Sequence, residues 1–152
     1  MNEQNIGNTN VIDLNVLEAK INASMGKYAN AKFRPFAYYD KHLDCIRVVT
    51  RDCSVCESRI DHIFTILEDN YPKTDQYKYV GFTIKGVRHL LQNIGIIGGP
   101  HIAVTKILDS IVNSYPEGTV DLVVNTIARP IAETERLTVD LPVGIESEPL
   151  PA

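Results

Sequence analysis

Between Phe33 and Ile84 the side chains switch between apolar and polar at nearly every step; after Ile84 the apolar residues recur at three and four. A period of two belongs to pleated strand, where neighbouring side chains leave on opposite faces, and a period near 3.6 belongs to a helix. That change of period predicts an α+β fold, with an antiparallel meander of four or five strands and helices packed on one face.

The strand signals come in close succession. "FRPFAYYD" (33–40) is aromatic-rich, with Pro35 suited to an edge or a strand start. After the tight turn "KHLD", "CIRVVTR" (45–51) sets Ile46, Val48 and Thr50 on one face and Cys45, Arg47, Val49 and Arg51 on the other. "SVCESRI", "IFTILED" (63–69) and "YVGFTI" (79–84) come next, the last two separated by the polar loop "NYPKTDQYK". Short turns between consecutive strands imply antiparallel pairing.

Helical spacing brackets this region. Leu14, Leu17, Ile21 and Met25 define a helix over about 11–30, with Asn10 or Asp13 as its cap and residues 1–10 frayed. Val87, Leu90, Leu91 and Ile94 define a short helix ended by Gly95. "GIIGGP" reads as a linker, and a further helix is expected from about Pro100 to Tyr115. "VDLVVNTI" reads as a late strand, and "LTVDL" as one more.

Charge is unevenly placed. Residues 130–152 hold five acids (Glu133, Glu135, Asp140, Glu146, Glu148) and the single base Arg136, which accounts for the whole net charge of −4. The expected organisation is therefore a single domain over 1–129 and an acidic, Pro-containing tail over 130–152. With acids and bases balanced in 1–129, the basic excess of a dedicated nucleic-acid binder is missing. No apolar run approaches the ~18–20 residues that span a bilayer. The opening "MNEQNIGNTN" lacks the positive start and apolar segment of a secretory signal, so a cytoplasmic protein is expected.

The residues Tyr39, Asp40, Asp44 and Ile46, then Glu57, then Val80, Gly81, Phe82 and Ile84 carry a "YD…D.l.i … E … VG.eI" pattern. Over about residues 36–91 this resembles a small prokaryotic domain family of unknown function. The resemblance implies the β-meander and no particular activity, and it makes Glu57 a strand residue.

Several constellations invite a functional reading. Cys45, Cys53 and Cys56 with His42 or His62 contain a C-x₂-C pair and the makings of a Cys₃His zinc set. Against it, positions three apart on a strand face opposite ways, so free thiols and no metal or cofactor are expected. A redox C-x-x-C needs a helix N-terminus, and the residues after Cys56 read as strand. His62, His89 and His101 are scattered, which argues against acid–base catalysis. "GIIGGPH" comes after a helix and lacks the Lys-Ser/Thr ending of a phosphate loop.

Arg47, Arg51 and Arg59, with Lys85 and Arg88, are the candidate binding residues: a basic strand face for an acidic partner or small anionic ligand. The plainer reading is a solvated face whose arginines pair with Glu57, Asp61 or Glu68. Together these features predict a non-enzymatic interaction protein that binds a protein partner, or itself as a homo-oligomer, through a strand edge. The alternatives are a sensor of a small ligand or nucleotide, and a Cys-based metal-binding protein.

Overall fold

The computed structural model describes residues 13–28, 32–74, 78–115 and 118–148, with side chains at 25–28 excepted. The expectations of a frayed 1–10, a helix start near Val11 and a stripe residue at Met25 lie outside the described residues. The chain forms two compact units, residues 1–33 and 34–152.

The first unit contains helix α1 (Leu14–Tyr28). Asp13 caps it: its carboxylate accepts from the amides of Asn15 (2.9 Å) and Val16 (3.3 Å), which satisfies two of the amides a helix start leaves unpaired. Of its apolar stripe, Leu14 is 73% exposed, and Leu17 and Ile21 are also exposed.

The second unit is built on five strands: β1 (Phe36–Asp40), β2 (Cys45–Val49), β3 (Val55–Arg59), β4 (Phe64–Asp69) and β5 (Tyr79–Lys85). Every pairing is antiparallel and the spatial order is β1-β2-β5-β4-β3. Burial explains this order. β2, β4 and β5 carry the apolar side chains and take the centre, whereas β3, with Cys56, Glu57, Ser58 and Arg59, has too little to bury and lies at an edge. The chain from β2 to β3 must therefore pass the ends of β5 and β4, a span of about 14 Å at the usual strand spacing. Thr50–Ser54 cover it, held by Thr50 Oγ1 donating to the Val80 carbonyl (2.8 Å) and by Asn70 donating to Ser54 (2.9 and 2.7 Å).

One face of the sheet is the core face. Ile46, Val48, Phe64, Ile66, Phe82 and Ile84 project from it, with the Phe64 and Phe82 rings stacked at 5.4 Å. Against them pack α2 (Val87–Ile94) through Leu90 and Leu91, and α3 (Val104–Ser114) through Ile107, Leu108 and Ile111. Each such side chain contributes about 1.5–3 kcal/mol on burial.

The β1–β2 turn also serves α2. Asp40 accepts from the amides of His42 (2.9 Å) and Leu43 (3.0 Å), which shapes the turn. Asp44, at φ 51°, accepts from the Tyr39 hydroxyl (2.7 Å) and from the Arg88 amide (3.2 Å), and its carbonyl accepts from the Val87 amide (3.1 Å). Gly86, at the N-cap of α2, has no side chain to do this, so Asp44 caps the helix from a distant turn. Burial and the Asp44 carboxylate push the Tyr39 hydroxyl well above its ordinary pKa.

Three expectations change. Helix α3 begins at Val104, not near Pro100, and is preceded by the two-residue strand β6 (Ile102–Ala103). "VDLVVNTI" is helical: α4 (Thr119–Val123), a π-turn (Val124–Ala128) and α5 (Arg129–Glu135) run on continuously. Its buried residues Val120, Val123, Val124, Ala128 and Ala132 fall at helical spacing, and Leu122 is exposed. The π-turn, closed by the Arg129 amide donating to the Val124 carbonyl, sits where Pro130 would otherwise collide with the carbonyl four residues back.

The third change concerns residues 130–152, expected as a tail. Through residue 148 they belong to the folded unit: Leu137, Val139, Leu141 and Ile145 are all buried, and β7 (Thr138–Val139) pairs with β6. Glu133, Glu135 and Asp140 are exposed among these apolar positions, so the acidic composition concealed a core segment. The "GIIGGP" stretch is its seat. Gly98 donates its amide to Glu146 (3.0 Å), and the Gly99 carbonyl accepts from the Leu141 amide (2.9 Å). A Cβ at Gly98 would lie 2.2 Å from the Pro142 carbonyl oxygen.

Candidate functional site

The sheet face opposite the helices carries the site. The registers align Tyr38, Arg47, Thr83, Thr65 and Arg59 in one row across the five strands. Beside it runs the row Phe36, Val49, Gly81, Leu67 and Glu57, and on the other side Asp40, Cys45 and Lys85.

Arg47 and Glu57 are separated by the two central strands β5 and β4, yet Arg47 Nη1 lies 2.8 Å from Glu57 Oε1. Strands so far apart bring their side chains together only if the sheet coils toward this face. Two features favour that coiling. Gly81 lets β2 and β5 approach so closely that a Cβ there would lie 2.0 Å from the Val48 carbonyl oxygen. The β4–β5 register also shifts between Leu67 and Glu68, an irregularity of the kind that increases local twist.

Beneath the ion pair lies a floor of small and apolar groups: Gly81, Leu67, Thr83 (4% exposed) and Thr65 (1% exposed). Thr65 and Thr83 are direct cross-strand partners, but neither hydroxyl has a hydrogen-bond partner among the described residues. A buried, unsatisfied hydroxyl costs about 1–3 kcal/mol, and few native groups are left so. Next to them a cleft of about 290 Å³ is lined by Leu43, Cys45, Arg47, Glu57, Thr83 and Lys85. Burial, then Asp40, raises the Cys45 thiol above its ordinary pKa and keeps it neutral. A larger cleft of about 320 Å³ beside β6 and β7 includes Glu133, Arg136 and Thr138, but none of the buried unpartnered side-chain atoms among the described residues belongs to its lining.

The expected binding residues do not form one patch. Arg47 and Lys85 line the cleft, and Arg59 stands exposed in the Arg47 row at the far edge. Arg51 lies past the end of β2 and pairs with Asp69 at 3.4 Å. Arg88 is on α2, 3.5 Å from Asp44 and 3.9 Å from Glu148, so it braces the C-terminal segment. Thr65 and Thr83 were missed. The word Phe-Thr-Ile occurs twice, at 64–66 and 82–84, and a threonine enclosed by core residues on both strands was the available signal.

The cysteines are likewise dispersed. Cys45 faces the cleft, Cys56 is on the opposite face opposite Glu68, and Cys53 lies in the crossing segment, its thiol raised by burial and by Asp69. His62 contacts its neighbour Asp61 in the β3–β4 turn. Among the described residues no three His, Cys, Asp or Glu side chains gather as a metal site would require. Nor, among them, is any helix long and apolar enough to cross a membrane. The fold and site are thus those of an α+β protein with an open, cleft-bearing antiparallel sheet. Comparison with family models, with curated proteins and with solved structures finds no match for the chain.

Proposed function

We propose that this is a non-enzymatic binding protein whose working surface is the open sheet face and whose ligand is a small polar molecule held in the cleft at Thr83, Arg47 and Lys85. The observation that carries the reading is the buried, unpartnered hydroxyl of Thr83 in the cleft lining, with that of Thr65 on the neighbouring strand beside it. Their cost is one that a fold retains where a polar guest supplies the missing bonds. The cleft supplies donors, acceptors and two cations, which is equipment for recognition. Its thiol is held in the neutral form, the form unsuited to nucleophilic attack.

Replacing Thr83 with Val tests this. The ligand-free protein should gain about 1–3 kcal/mol in stability as the unsatisfied hydroxyl is removed, while any ligand-induced rise in melting temperature is lost. Unchanged or reduced stability in both Thr83→Val and Thr65→Val would remove the ground for the proposal.

A protein partner or self-association is the second reading. It draws support from the exposed Leu14, Leu17 and Ile21 of α1 and from β1 and β3, each paired on one side among the described residues. Light scattering on the full chain and on residues 34–152 checks it: equal monomer masses at every concentration would exclude self-association through residues 1–33.

A further inference from the structure

Resting on the reading of the cleft as a polar-ligand site, we infer that its ligand is a small oxyanion, a carboxylate or phosphate group, that displaces the Glu57 carboxylate from Arg47.

Four observations converge on this chemistry. Arg47 meets Glu57 through one nitrogen, Nη1 at 2.8 Å. A guanidinium has five N–H donors in a planar fork and binds carboxylate or phosphate best in two-point fashion, so among the described residues most of that capacity is unused. Glu57 also comes from an edge strand and its side chain is 48% exposed, so it can swing into solvent without dragging the core. Lys85 borders the same cleft two residues from Thr83 and makes no ion pair among the described residues. The Thr83 hydroxyl, finally, has a proton to donate and no acceptor for it among the described residues.

With Glu57 in place the lining holds two cations against one carboxylate, and with Glu57 displaced two cations remain for the guest. Asp40, in the Cys45 and Lys85 row, and Asp44, at the end of the same turn, are the other acids near Cys45; the Asp40 carboxylate is engaged by the His42 and Leu43 amides, and that of Asp44 by the Tyr39 hydroxyl and the Arg88 amide. A cationic guest would have to approach Arg47 and Lys85 to reach Glu57. Size adds a further limit: about 290 Å³ is at the low end of the roughly 300–1,000 Å³ of ligand pockets, which suits a single small acid better than a nucleotide.

Glu57 is in this view an internal competitor, and that makes an unusual prediction. Removing its charge should strengthen binding. Wild type, Glu57→Gln, Arg47→Gln, Lys85→Gln and Thr83→Val are titrated separately with succinate and with inorganic phosphate, following the backbone amide resonances at positions 83 and 85. An exposed ion pair has modest strength, so Glu57→Gln should tighten binding by about two- to five-fold, while Arg47→Gln and Lys85→Gln abolish it. The tighter titrant identifies the anion's source. Weaker or unchanged binding in Glu57→Gln, with Glu57→Ala agreeing and both variants folded by circular dichroism, overturns the competitor role. If neither anion moves these resonances in wild type or Glu57→Gln while Thr83→Val still raises the melting temperature, the oxyanion inference falls and the polar-ligand reading stands. If Thr83→Val and Thr65→Val fail to stabilise, the underlying reading falls first.

Discussion

Ending the chain after Arg136 should unfold the second unit. The deletion removes Leu137, Val139, Leu141 and Ile145, which are all in the core cluster, Ile145 at 0% exposure. At about 1.5–3 kcal/mol for each fully buried aliphatic side chain, the loss is roughly 6–12 kcal/mol before any exposure of their partners is counted. A domain of this size has about 5–15 kcal/mol in total, so the truncated chain should be largely unfolded at 25 °C. Circular dichroism and a thermal melt read this directly. A milder variant grades the effect: Ile145→Ala should cost about 2–5 kcal/mol through the cavity it leaves, a fall of about 10 °C in melting temperature. Neutralising Glu133 and Glu135, which are exposed, should change stability by less than about 0.5 kcal/mol each. A truncated chain that melts cooperatively within a few degrees of the full one would refute the assignment of these residues to the core.

Other perturbations test the supporting geometry. Gly98→Ala forces a methyl to within 2.2 Å of the Pro142 carbonyl oxygen and 2.6 Å of Ile145 Cγ2; it should destabilise by about 1–3 kcal/mol, and a denaturant midpoint equal to wild type would contradict the close fit. Asp44→Ala removes the distant cap of α2 and should cost about 0.5–2 kcal/mol, with hydrogen exchange at the Arg88 amide accelerating; protection that survives the change would deny the cap. Thiols react as thiolates, and Cys45 and Cys53 hold their protons to higher pH than an ordinary thiol. Iodoacetamide at pH 8 should therefore modify exposed Cys56 first, with labelling of the other two rising only as pH increases; mass spectrometry showing Cys45 labelled as fast as Cys56 would count against its burial.

The strands were legible wherever one face is apolar and the other is not. Ile46 and Val48 against Arg47, or Phe82 and Ile84 against Thr83, write the pleat into the chain directly. Which strand neighbours which was not legible, because pairing Ile46 with Ile84 is a contact between distant positions that no local period encodes. The late helix was hidden by β-branched residues. Val120, Val123 and Val124 favour strand by propensity, but the cluster they join buries them at helical spacing. The candidate site was half visible: Arg47 and Lys85 announce themselves by charge, whereas Thr65 and Thr83 matter only because their strands lie side by side and are covered.

The strand order has a consequence for how the chain is made. Synthesis runs from the N-terminus, so the β1–β2 hairpin leaves the ribosome well before the partner that shields it. Ile46 and Val48 must wait, wet and adhesive, until Phe82 and Ile84 emerge. The β4–β5 hairpin joins strands close in sequence, so its closure costs less chain entropy than the pairing of β2 with β5 that follows it.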